Sequence, residues 1–282
     1  MIAPSSPVIF LVTGASRGLG KAIATVAGKQ HAMARFLLVA RSFEGMEETK
    51  KEIMSAAPTR ASEDVLCRSM DLSDLDRLDS NADRLFTDLE RLRFSPREDH
   101  LPQPRLVFVN NAASLGHLGL SRQSPSLEDM RQTVNLNVTS SLWLSVRFAR
   151  YVQELQQTQK HQQIKATLVN ISSLVAISQD FAGMGIYSAG KAAREMYHSL
   201  LAKDQENPRV VNYAPGPLAT SMTQDINESK NLYKTDLQSS FHQTQLLDPE
   251  DSARKLIRLL DTNEFESGSH IDYFDFPDET SM

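Results

Sequence analysis

Tyr187 and Lys191 stand four residues apart in Tyr187-Ser188-Ala189-Gly190-Lys191. On a helix that spacing puts a phenol and an ammonium on one face. An ammonium beside a phenol favours the phenolate and lowers its pKa. A tyrosine so tuned can give a proton to a carbonyl oxygen as hydride arrives at the carbon. Upstream, the apolar run Ala166 to Ile171 reads as a strand and ends at Ser172-Ser173. A serine there can hydrogen-bond the same oxygen. Tyrosine and lysine four apart occur by chance in many helices, so the pair gains its weight from the elements that must position it.

The first of those elements is Thr13-Gly14-Ala15-Ser16-Arg17-Gly18-Leu19-Gly20. It follows the apolar run Val8 to Val12, a strand by its pattern, and precedes Lys21 to Ala27, a helix by its pattern. Strand, glycine turn, helix is the context in which glycines mark a dinucleotide site. The glycines allow a sharp turn and close approach of a pyrophosphate, and the helix N-terminus offers free N–H groups to it. The second strand, Phe36 to Ala40, ends at Arg41-Ser42. An acid at that tip suits the ribose of NAD, whereas an arginine accommodates the 2′-phosphate of NADP. With Arg17 as a second cation and no acid beside Arg41, the pattern favours NADP(H).

Composition limits the alternatives. The 282 residues suit one large α/β unit, and no linker divides them, so a single domain over 1–282 is expected, with 8–150 serving the cofactor and 165–275 the substrate. Hydrophobic residues at 40% supply a sizeable core, and a net charge of −5 gives no basic footprint for nucleic acid. No apolar run reaches the length of a membrane span, and the first seven residues lack the regions of a signal peptide. The lone Cys67 excludes an intrachain disulfide and reads as a core thiol. Together these features favour a cytoplasmic protein.

The rest of the chain alternates strands and helices. Gly45 to Ala56 and Leu75 to Leu92 have helical stripes, and Val65 to Met70 is a third strand closed by Asp71-Leu72-Ser73. Asp71 or Ser73 is also a natural cap for the next helix. Phe94 to Gln103 reads as a surface loop. Leu106 to Val109 is the fourth strand and runs into Asn110-Asn111-Ala112-Ala113. Leu127 to Val152 reads as one long helix containing Asn137, and Arg209 to Tyr213 as a strand before Pro215-Gly216-Pro217. Asn227 to Leu246 is polar, Pro249 to Leu260 is helical, and His270 to Phe274 is a last strand.

The glycines at 14, 18 and 20, the Asn-Asn-Ala run, Asn170-Ile171-Ser172-Ser173-Leu174, Tyr187 to Arg194 and Val211 to Leu218 resemble the short-chain dehydrogenase/reductase family over nearly the whole chain. Ala113 departs from the family's Asn-Asn-Ala-Gly. Thirteen residues separate Ser173 from Tyr187, one more than is usual, which places the extra residue in the loop 177–183. The resemblance implies a doubly wound Rossmann-type three-layer fold with a mostly parallel seven-stranded sheet. It implies Ser173, Tyr187, Lys191 and Asn137 as the catalytic group, with Asn137 supporting the lysine through water. For the cofactor it implies Gly14, Ala15, Ser16, Arg17, Gly18, Leu19, Gly20, Arg41, Ser42, Asp71, Leu72, Asn111, Tyr187 and Lys191. The stretch Leu218, Ala219, Thr220, Ser221, Met222 and Thr223 would wrap the carboxamide and pyrophosphate. No metal is expected.

Within the family, Glu264 to Asp272 is similar to the members that reduce pterins. That similarity implies NADPH-dependent reduction of side-chain ketones, with sepiapterin and 6-pyruvoyl-tetrahydropterin as substrates and tetrahydrobiopterin as product. Ser173, Leu174, Tyr187, Gly216 and Asp272 would form the substrate site. A carboxylate such as Asp272 is a natural bidentate acceptor for the paired N3–H and 2-amino donors of a pterin. The family also implies a homodimer formed through 127–152 and 187–205, and a mobile lid over 227–246. The alternatives are a carbonyl reductase acting on another ketone and a catalytically silent NADP-binding regulator.

Overall fold

The computed structural model describes residues 7–94, 103–123, 126–158, 164–204, 207–229, 231–232 and 245–275. Seven strands form one sheet: β1 (Val8–Thr13), β2 (Arg35–Ala40), β3 (Val65–Ser69), β4 (Arg105–Asn110), β5 (Ala166–Ile171), β6 (Arg209–Ala214) and β7 (His270–Asp272). Their order is β3-β2-β1-β4-β5-β6-β7, and every pairing is parallel. The sheet expected to be mostly parallel is therefore wholly so. The strand order reverses between β1 and β4, and a crevice opens outside the carboxyl ends of the strands at such a point.

The inner strands β1, β2 and β4 carry unbroken apolar runs because both faces are covered. On β1, Val8, Phe10 and Val12 join the core beneath α1 (Gly18–Gln30), α2 (Phe43–Ala56) and α8 (Pro249–Thr262). Ile9 and Leu11 face the opposite core, filled by α3 (Leu78–Arg93) and α5 (Ser141–Thr158). Alternate residues pointing to opposite faces produce these two layers. Cys67 lies in the first core, where burial raises its thiol pKa to about 12.

Three local readings change. The long helix over 127–152 is α4 (Leu127–Val134) joined to α5 by a π-helical turn, Asn135–Ser140. Apolar periodicity runs through such a bulge without a break, so the stripe alone misses it. π-bulges of this kind cluster at functional sites. The last strand stops at Asp272, because its Oδ1 accepts from Phe274 N and turns Tyr273–Asp275 into a short 3₁₀ segment. Asp71 does not cap the next helix. It accepts from Ser73 N and Oγ, and Asp74 caps the following turn. Most of the loop expected over 94–103 and of the lid over 227–246 lies outside the described residues. Within that stretch, α7 (Ser221–Glu228) continues through Glu228. Among the described residues no helix is long and apolar enough to cross a membrane.

Candidate active site

A cavity of about 1150 Å³ lies across the carboxyl ends of the strands. Its lining includes Gly14, Ser16, Arg17, Gly18 and Leu19 from the first turn, and Arg41, Ser42, Asp71 and Leu72 from the ends of β2 and β3. Asn111, Ser173, Leu174, Gly216, Leu218, Thr220, Ser221, Met222, Thr223 and Asp272 line it too. Tyr187 and Lys191 enter from α6 (Gly185–Asp204). Four expected residues do not line it, Asn137 among them. Ala15 is buried under the turn, Gly20 packs inside it, and Ala219 points to solvent.

The glycine turn is packed closely against Asn111 and its own backbone. Gly14 has φ +69°, in the region that favours glycine. A Cβ at Gly20 would lie 2.2 Å from Gly14 O and 2.6 Å from Asn111 Nδ2. Asn111 holds this turn through Nδ2 to Thr13 O at 2.9 Å. The first turn of α1 carries no acid, and Arg17 at its N-cap lends no side-chain acceptor. Its N–H groups and dipole thus suit an anion. Ser42 instead caps α2, accepting from Gly45 N at 3.1 Å. Arg17 Nη1 donates to Ser221 Oγ at 2.7 Å across the cavity mouth. The residues present therefore fit a dinucleotide, with two exposed arginines near the end of β2.

The reactive end is formed by α6 and β5. Lys191 Nζ donates to Ile171 O at 2.6 Å and sits 5.5 Å from the Tyr187 ring centroid. Both side chains are buried, at 3% and 7% exposure, and this reverses one expectation. Burial raises the Tyr187 phenol to about 12, with Arg194 pulling the other way. Lys191 is driven well below its ordinary value by burial and by the Arg194 charge, against an upward pull from Glu195. Desolvation outweighs the pull of the Arg194 charge on the phenol. A protonated phenol is the form that can donate.

Ser172 and Ser173 part company. Ser173 caps the 3₁₀ turn Leu174–Ala176 and lines the cavity. Ser172 is 1% exposed and donates its hydroxyl to Glu195 Oε2. Both serines line the cavity, and Ser173 is the one whose side chain is not bonded to Glu195. Asn137, in the π-turn, uses both ends of its amide on Ser114: Oδ1 accepts from Ser114 N at 2.8 Å and Nδ2 donates to Ser114 O at 2.7 Å. Its side chain fastens the loop after β4, and it packs against Gly190, the neighbour of Lys191, where a Cβ would lie 3.2 Å from Asn137 Cβ.

Asp71 is held below the ordinary carboxylate range. Desolvation pushes it up, but the bonds from Ser73 and the Arg41 charge overcome that push. Three buried residues, Arg194, Glu195 and His198, were given no role at the site by the sequence. Arg194 donates to Asn170 Oδ1 at 2.8 Å, to Ala112 O at 3.2 Å, and to Asn110 O. It ties α6 to the ends of β4 and β5. Glu195 accepts from Ser172 and from His270 Nδ1 at 2.9 Å. His198 lies between Ser145 Oγ and Arg194 O. The signal was present: 187, 191, 194, 195 and 198 share a helical face, and polar residues continue the stripe past the lysine.

The short chain dehydrogenase family model matches residues 8–231. The chain is 35% identical over 273 residues to sepiapterin reductase of Rattus norvegicus, covering 95% of this chain and 96% of that protein. It is 25% identical over 268 residues to a benzil reductase, (S)-benzoin forming, of Bacillus cereus, covering 93% and 97%. Among solved structures, levodione reductase superposes with a TM-score of 0.72 at 19% identity, over 94% of this chain and 95% of that one, a likeness of fold. The match over residues 8–231 and the relative at 35% identity agree with the sheet order and the glycine turn: the chain belongs to the short-chain dehydrogenase/reductase family.

Proposed function

We propose that the protein is an NADPH-dependent ketone reductase acting on the side chain of a pterin. The observation that carries this reading is the meeting of Ser173, Tyr187, Lys191 and Asp272 on the cavity that also contains the glycine turn. When bound, the nicotinamide supplies hydride to the carbonyl carbon. Arg41 and Arg17 bind the 2′-phosphate, and the start of α1 takes the pyrophosphate. Tyr187 donates the proton to the substrate oxygen, and its raised pKa keeps that proton in place at neutral pH. Ser173 hydrogen-bonds the same oxygen, and Lys191 orients the ribose and the phenol. Asp272 accepts from the paired pterin donors, and Leu174 and Gly216 flank the ring.

The similarity to sepiapterin reductases supports the substrate class, including 6-pyruvoyl-tetrahydropterin and the role of making tetrahydrobiopterin. The test is NADPH oxidation with sepiapterin, followed at the cofactor absorbance. Turnover with NADPH well above that with NADH is expected. Cofactor consumption with simple diketones but none with sepiapterin would favour the second reading, a carbonyl reductase for aromatic ketones. That reading draws on the apolar rim of Leu174, Ile177 and Phe274. A homodimer is supported by Leu127, Met130 and Val134 of α4, which are exposed beside exposed Met196 and Leu200 of α6.

A further inference from the structure

Glu195 is a carboxylate 9% exposed that touches neither the glycine turn nor the phenol, yet three elements of the site meet on it. It lies one turn beyond Lys191 on α6. Its Oε2 accepts from Ser172, the neighbour of Ser173 at the end of β5. Its Oε1 bonds Nδ1 of His270 at 2.9 Å. His270 opens β7, and Asp272 follows two positions later on the same face of that strand. Strand β7 is an edge of only three residues, paired with β6 alone. The segment entering it is tied to α6 as well, where Ser199 Oγ donates to Gly268 O at 3.0 Å.

We propose that the Ser172–Glu195–His270 bonds form a positioning relay, which sets the distance between the substrate anchor on β7 and the reducing group on β5 and α6. This rests on the pterin-reductase reading. A carbonyl bound at Asp272 must reach Tyr187 and Ser173 at one separation, and the only described side-chain bond from β7 to the catalytic helix is the one through His270. Both oxygens of Glu195 are bonded, whereas Nε2 of His270 is buried without a partner, so the imidazole is held through Nδ1 alone. The charged groups around the relay are Lys191 and Arg194 on α6, and Asp272 and Asp275 beside His270. The bond to Glu195 raises the His270 pKa, opposed by desolvation and aided by the two aspartates. Below that pKa the pair is charge-assisted, and as pH rises through it the imidazole loses its charge.

The experiment has two arms. Imidazole ¹⁵N NMR follows His270 in the wild type and in Glu195→Gln, with no substrate present. The wild-type midpoint is expected above the free value of about 6.5, with the variant moved down toward it. Equal midpoints would mean that the pair does not form, and the proposal falls whatever the enzyme reduces. In the second arm His270→Ala and His270→Asn are compared on sepiapterin, with NADPH binding and circular dichroism as controls of folding. An asparagine amide can donate to the same oxygen as Nδ1. His270→Ala should lose on the order of 10²-fold in kcat/KM, as misplaced reactants do, and His270→Asn should recover most of it. Equal loss in both, or loss in neither, would overturn the relay. If the wild type itself fails on sepiapterin, the pterin reading falls and the positioning of a pterin anchor falls with it, while the first arm still decides whether the Glu195–His270 pair forms.

Discussion

Lys191 Nζ donates to the carbonyl of Ile171 at 2.6 Å, so the catalytic helix is bonded to the last residue of β5. Ser173 follows two residues later. The lysine is therefore a side-chain clamp between α6 and the end of β5, close to Ser173. This bears on the first prediction. Tyr187→Phe removes the hydroxyl and leaves that clamp in place. Turnover should fall by about 10²–10⁴-fold, the usual cost of losing a general acid. NADPH binding, read by fluorescence titration, should stay close to wild type. Wild-type turnover in the Phe variant would exclude Tyr187 as the proton donor.

Arg41→Ala should weaken NADPH far more than NADH. A charge-assisted contact to a phosphate is worth about 1.5–3 kcal/mol. Arg17 bonds Ser221 and lines the same cavity, so it can take over part of the load. The double substitution Arg17→Ala with Arg41→Ala is the decisive version. Equal loss of the two cofactors in calorimetric titration would remove the 2′-phosphate assignment.

His198 makes a prediction about acid stability. Burial and the Arg194 charge lower its pKa to about 3, against a bond to the Arg194 carbonyl. An unfolded histidine titrates near 6.5. Between those values the unfolded chain binds the extra proton, so stability is full above about 6.5 and is lost as pH falls toward 3. Urea midpoints measured from pH 7 to pH 4.5 should fall steadily. In His198→Gln, which cannot titrate, the slope should be shallower by about one proton over that window. An unchanged slope would show that His198 is protonated in the native state.

The chain was legible where physics acts locally. β1, β2 and β4 stand out as continuous apolar runs because inner strands of a parallel sheet are covered on both sides. The turn from Gly14 to Gly20 was readable because the absence of Cβ atoms is written in the residue type. Less could be read where an outcome depends on three dimensions. The π-turn at Asn135–Ser140 shifts the register of a helix whose apolar stripe stays intact. The pKa of Tyr187 depends on how completely α6 is covered, and spacing from Lys191 says nothing about desolvation. Glu195 and His270 are far apart in sequence and meet only because β7 lies beside β6.

Asp272 decides between a pterin reductase and a general carbonyl reductase. Its Oδ1 accepts from Phe274 N at 3.0 Å, and its own N–H donates to Asp275 Oδ2 at 2.8 Å. The carboxylate is thus oriented by the turn that follows it, at the cavity wall. A carboxylate accepts from two adjacent donors, whereas an amide presents an N–H₂ group to one of them. Asp272→Asn should therefore replace one substrate hydrogen bond with a clash. Oδ1 can still accept from Phe274 N, so the turn is retained. The expected signature is selective: the ratio of kcat/KM for sepiapterin to that for a small diketone should fall by about tenfold or more, since a charge-assisted bond is worth roughly 1.5–3 kcal/mol. An unchanged ratio with both values lowered would point to a defect in folding or cofactor binding. An unchanged ratio with neither value lowered would leave Asp272 as a turn-forming residue and move the assignment to the carbonyl reductase.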